Sequence, residues 1–117
     1  MTNENLHQAS VRGHVSHKSL RRSVHLAFKD SIRLRARTIS VSPFGFTIMS
    51  PLQISKGKIC EIAFDIPLDG KIRKVNAISA IRDCVCIGTE GFRTRLNYIQ
   101  LDQHSRSAIS DLMQYPY

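Results

Sequence analysis

Leu26, Phe28, Ile32, Leu34 and Ala36 occupy even positions, while Lys29, Ser31, Arg33, Arg35 and Arg37 occupy odd ones. A period of two predicts a half-buried strand with a strongly basic outer face. Ile39 and Val41 take the apolar role on odd positions, so the phase slips near residues 37–39 and a bulge or bend is expected there. Phe46-Thr47-Ile48-Met49 predicts a short strand ended by Ser50-Pro51. Past Ser55-Lys56-Gly57 comes a cleaner one, with Cys60, Ile62, Phe64 and Ile66 on one face. Pro67-Leu68-Asp69-Gly70 reads as a turn, with proline where types I and II favour it. Residues 71–82 are β-rich, with Val75, Ala77 and Ile81 in step; 83–88 are ambiguous, and Thr89-Glu90-Gly91 reads as a turn. Phe92, Thr94, Leu96 and Tyr98 then alternate with Arg93, Arg95 and Asn97. Six or so short strands separated by turn signals predict a small antiparallel barrel or sandwich.

The tail changes period. Asp102 can cap a helix whose Ala108, Ile109, Leu112 and Met113 form one apolar stripe, ended by Gln114-Tyr115-Pro116-Tyr117. Residues 1–20 are polar without periodicity and read as a flexible arm ahead of a folded unit at 21–117. A chain of 117 residues is one domain able to bury a core. No apolar run is long enough to span a membrane, the N-terminus lacks a secretory core, and three cysteines make no disulfide framework. These features point to a cytoplasmic protein with reduced thiols. Seventeen Lys and Arg against nine Asp and Glu give a net charge of +8, which calls for an anionic partner: nucleotide, nucleic acid, acidic protein or membrane face.

Candidate chemistry concentrates in two stretches. Ser40-Val41-Ser42-Pro43-Phe44-Gly45 packs hydroxyls, a proline and a glycine into a strand-to-strand turn, where Gly45 permits a positive φ or a close backbone approach. Upstream lies Lys18-Ser19-Leu20-Arg21-Arg22-Ser23-Val24-His25. A cationic arm beside such a turn suits a phosphorylated ligand. Cys84 and Cys86 share one side of a strand but have no second Cys or His pair nearby, which argues against zinc. His14 and His17 read as solvated. No nucleophile elbow, zincin motif or acid/base carboxylate pair occurs, which argues against an enzyme.

Basic arm, strand, Ser-x-x-Gly turn, further strands, Gly91-Phe92 strand and closing helix together resemble the PilZ domain, a bacterial receptor for cyclic di-GMP, over roughly residues 20–113. The resemblance implies a six-stranded antiparallel β-barrel with a C-terminal α-helix. Two ligand signatures come with it. Arg-x-x-x-Arg falls on Arg21 to His25, with Arg22 beside it and His25 in the second arginine place. A register from Lys18 to Arg22 is the alternative and lengthens the gap to the strand. Asp/Asn-x-Ser-x-x-Gly falls on Ser40, Ser42 and Gly45, with Ser40 where the acid or amide stands. The implied site is thus Arg21, Arg22, His25, Ser40, Ser42 and Gly45, without metal or cofactor. Arginine can bond a guanine edge bidentately, stack on a purine or clamp phosphate. Histidine is shorter, lacks the fork and carries a pH-dependent charge. Ser42 can bond a guanine edge or brace the turn.

The implied function is a cyclic di-GMP receptor whose arm orders around the ligand and presents a surface to a protein partner. Two alternatives stand beside it. One is an adaptor that has lost the nucleotide. The other is a basic nucleic-acid-binding barrel using Arg33, Arg35 and Arg37, although five Phe, three Tyr and no Trp provide no obvious stacking face.

Overall fold

Alternating apolar residues fold here into seven strands and one helix across residues 17–115, the part that the computed structural model describes. They are β1 (Lys18–Ser19), β2 (Ser23–Phe28), β3 (Arg33–Val41), β4 (Gly45–Ser50), β5 (Ile59–Leu68), β6 (Lys71–Cys86), β7 (Phe92–Leu101) and α1 (Gln103–Gln114). All pairings are antiparallel. The order β3-β2-β5-β6-β7-β4 closes on itself through β4 and β3, giving a six-stranded barrel with β1 added beside β3. Closure removes the exposed edges that an open sheet would leave. Val24, Leu26, Ile48, Ile66, Val75, Ile81 and Leu96 fill the interior, and Phe46 packs against both Phe64 and Tyr98.

The first alternating run is two strands, not one. Lys29, Asp30 and Ser31 turn the chain, with Ser31 at φ 71° and its N–H donating to the Phe28 carbonyl at 3.0 Å. Across this hairpin Val24 faces Ala36 and Leu26 faces Leu34. Even residues therefore stay opposite even ones, and the period of two passes through the turn unbroken. Ile32 sits at its exit, 53% exposed. The phase slip is real: the β3–β4 register shifts between Thr38 and Ser40.

Pro67 is not in a turn. It lies in β5 opposite Ile72, and the connection is the two-residue Asp69-Gly70, with φ 51° and 75°. Consecutive positive φ values belong to the tight hairpin turn that Asp-Gly favours. The ambiguous 83–88 stretch mostly extends β6, which absorbs two irregularities, at Ile78/Ser79 and Ile81/Asp83. Gly88–Glu90 then forms a short 3-10 turn.

Asp102 caps α1, its Oδ1 accepting from the Ser105 N–H at 2.7 Å; that bond holds its carboxyl below the usual range. Ala108, Ile109 and Leu112 bury against the barrel, with Met113 partly buried beside them. Ser105 Oγ accepts from the Asn76 N–H and donates to the Asn76 carbonyl, at 2.7 and 3.0 Å. The β6–β7 register begins only at Ala77, so the helix serialises the ladder where β7 has ended, satisfying backbone groups that would otherwise lose their bonds.

Candidate ligand-binding site

The arm's last residues are stitched to the bulge of β3. Lys18 and Ser19 pair with Val41 and Ser40. The Leu20 N–H donates to the Ile39 carbonyl, and the Thr38 N–H to the Arg22 carbonyl. Thr38, fully buried, accepts from the Arg22 N–H at 2.8 Å and donates to the Leu20 carbonyl at 2.7 Å. Pairing with the barrel therefore includes Lys18 and Ser19, within the stretch assigned to the arm; residues 1–16, and His14 with them, lie outside the described residues. With Leu20 and Val24 both buried, Arg21 and Arg22 are held between two anchors.

These two arginines, with His25, line a cleft of about 510 Å³ on the outside of β2, β5 and β6. Arg37, Lys74 and Asn76 complete its walls, and Ser23 and Ala63 are among its small residues. The register explains the convergence: Ser23 faces Arg37, and His25 faces both Arg35 and Ala63, which in turn faces Asn76. Among the described residues, Arg21, Arg22 and Arg37 make no ion pair, whereas the cleft's one carboxylate, Asp65, is matched by Lys74 at 3.4 Å. The cleft is cationic, and among the described residues its three arginines have no ion pair while Lys74 does.

The turn is organised differently. The Ser42 N–H donates to the Gly45 carbonyl at 2.8 Å, and Ser42 Oγ bonds the same carbonyl at 3.1 Å. Ser42 Oγ also accepts from the Phe44 and Gly45 N–H groups, each at 3.2 Å. With 8% exposure and every bond made inside the turn, Ser42 braces the backbone. A Cβ on Gly45 would lie 2.0 Å from the Leu96 carbonyl oxygen, so the close approach is to β7. Ser40 is half-buried in β3, opposite both Ser19 and Thr47. Ser42 and Gly45 border a separate cleft of about 190 Å³ with His17, Phe44, Arg82 and Arg95. Arg95 is committed to Asp83 there, whose carboxyl that bond holds below its usual range.

Of the six sequence-predicted residues, the arm cleft collects Arg21, Arg22 and His25 but not Ser40, Ser42 or Gly45. It adds Arg37, Lys74 and Asn76, which the motif comparison passed over. The outward phase of Arg37 was readable; its convergence with β6 residues depends on barrel closure. Cys84 lies 3.2 Å from Thr94 Oγ1, Cys86 is exposed, and burial pushes the Cys60 thiol up to about 11. No group of three metal-ligating side chains occurs among the described residues, and no described helix is long and apolar enough to cross a membrane.

No protein-family model matches the sequence, and no curated protein matches it. Solved structures do. The inhibitor of motility MotI/DgrA of Bacillus subtilis superposes with a TM-score of 0.73 at 13% identity, over 84% of this chain; the chain spans 47% of that protein. The PilZ domain of YcgR from Escherichia coli, solved with cyclic di-GMP, gives 0.56 at 12% identity, over 83% of this chain and 85% of that one. The PilZ domain of CeSA from a cellulose-synthesizing bacterium gives 0.52 at 16% identity, over 83% and 93%. The architecture is that of the PilZ domains.

Proposed function

We propose that this chain is a cytoplasmic, non-catalytic receptor for cyclic di-GMP, with Arg21, Arg22 and His25 holding the ligand and Arg37 and Lys74 completing a cationic wall. The observation that carries the reading is the convergence on one cleft of three arginines that have no carboxylate partner among the described residues. Guanidinium forks match phosphate oxygens and guanine edges, and they stack on purine faces. Small side chains at Ser23 and Ala63 leave room on the sheet for a flat base. That a PilZ domain of the same fold was solved with cyclic di-GMP supports the ligand.

In this reading the turn acts on the arm. β1 pairs with Ser40 and Val41, just before Ser42, so a braced turn sets where the arm crosses the barrel. Ligand held by Arg21 and Arg22 fixes side chains on a segment whose backbone is already paired to β3, and a protein partner reads the resulting surface. Isothermal titration with cyclic di-GMP and, at matched salt, a single-stranded oligonucleotide tests the ligand. Saturable binding of the dinucleotide alone is expected; a preference for the oligonucleotide overturns the reading. One observation favours a second reading, an adaptor without nucleotide: the turn's hydroxyl is fully used and its cleft shares no residue with the arm cleft. Absence of heat with either ligand selects it.

A further inference from the structure

Charge on this barrel is unevenly compensated. Lys58 pairs with Asp30, Arg73 with Asp111, Lys74 with Asp65 and Arg95 with Asp83. Arg33, Arg35, Arg37 and Arg93 are exposed and have no ion pair among the described residues. Like charges two residues apart on one strand face repel, so this face is costly unless an anion covers it.

The register turns that charge into a pattern. Arg37 faces Met49, Met49 faces Arg93, and Arg93 faces Val85, so cation and apolar side chain alternate across β3, β4, β7 and β6. Val85 is 44% exposed and Leu52, beyond the end of β4, 58%. Beside the row, Arg35, Arg37, Met49 and Pro51 border a groove of about 420 Å³ whose one carboxylate is Glu90. At its centre the row crosses β4 and β7, which are paired on both sides there, so at Met49 and Arg93 a partner is recognised by side chains and not by an added strand.

We propose that this row docks an acidic amphipathic helix of a protein partner. Neighbouring strands lie about 4.8 Å apart, which puts the two arginines about 10 Å apart with an apolar residue between them. A helix rises about 1.5 Å per residue, so glutamates at i and i+7 stand about 10.5 Å apart and apolar residues at i+3 and i+4 fall between them. An extended segment repeats its faces every 6.6–6.8 Å or so and falls out of step. Charge complementarity selects the acidic partner, and the lack of an exposed aromatic in the row disfavours single-stranded nucleic acid.

Arg37 and Ser23 border both this groove and the arm cleft. Nucleotide that engages Arg37 therefore withdraws one cation from the helix, and docking weakens when the cleft is filled. This coupling rests on the receptor reading above; docking itself does not.

The test is fluorescence anisotropy of the full chain with a labelled peptide of about 20 residues, long enough to form helix in water, carrying glutamates at i and i+7 and leucines at i+3 and i+4. Arg37→Glu and Arg93→Glu should each weaken binding by about tenfold, and Met49→Asp should weaken it too. Arg106→Glu, on the exposed side of α1, should leave it unchanged. Circular dichroism of each variant confirms its fold. Equal binding of a scrambled peptide of the same composition, equal loss with Arg106→Glu, or tighter Arg93-dependent binding of anionic vesicles or an oligonucleotide overturns the proposal. Added cyclic di-GMP should weaken the peptide in the parent but not in Arg37→Ala. Peptide binding with no response to nucleotide, and no nucleotide binding by calorimetry, leaves the docking face standing and removes the receptor reading.

Discussion

The turn around Ser42 and the arm around Arg22 carry the two halves of one expected ligand signature, yet the protein treats them in opposite ways. In the turn, Ser42 spends its hydroxyl on three neighbouring backbone groups and Gly45 is pressed against Leu96. In the arm, backbone groups of Leu20 and Arg22 are tied to Thr38 and Ile39 while the side chains of Arg21 and Arg22 are left without ion pairs among the described residues. Satisfied polar groups make architecture; uncommitted ones make a site. In the proposed reading the serine and glycine of the turn serve the backbone, and the arm serves the ligand.

The largest effect expected from this contrast is at Gly45. Gly45→Ala places a methyl 2.0 Å from the Leu96 carbonyl oxygen, so β4 and β7 must separate, at a cost on the order of 3 kcal/mol. Urea denaturation measures it, and a loss below about 1 kcal/mol would show the approach to be easily relaxed. Next comes the arm. Arg21→Ala and Arg22→Ala should each weaken cyclic di-GMP by roughly 1.5–3 kcal/mol, the range for hydrogen bonds to charged groups, with the denaturation midpoint nearly unchanged. Ser42→Ala inverts this pattern: stability falls by about 1 kcal/mol, while calorimetry finds nucleotide affinity close to the parent's. The smallest change is His25→Arg, which supplies a further fork to the cleft and should tighten binding by about 1 kcal/mol; no gain there would mean that His25 borders the cleft without holding ligand.

Much of the barrel was legible because side-chain period survives wherever the ladder is regular. Cys60, Ile62, Phe64 and Ile66 alternate in one uninterrupted strand, and all four are buried. The bulge by Ile39 showed itself as a change of parity. The same regularity hid the Lys29–Ser31 turn, because a hairpin that sets even residues against even ones leaves no mark on the alternation. Pro67 drew attention from Asp69-Gly70, whose positive φ values make the turn. Buried polar residues were harder to read: Thr94 stood in the apolar phase, but Thr38, Ser50 and Ser105 look like surface residues in sequence, and all four are 2% exposed or less. In the candidate site, the arm was readable because its charges are local. Arg37, Lys74 and Asn76 join it only through pairing around the barrel, and no local pattern encodes which distant strand will be a neighbour.

One measurement bears most directly on the division between a structural turn and a binding arm: calorimetric titration of cyclic di-GMP into the parent, Arg21→Ala, Arg22→Ala and Ser42→Ala at one salt concentration. The parent and Ser42→Ala should bind alike, and both arginine variants should bind more weakly by at least about tenfold, or 1.4 kcal/mol. Arginine variants that bind like the parent, or a Ser42→Ala variant that folds but loses the ligand, would contradict it.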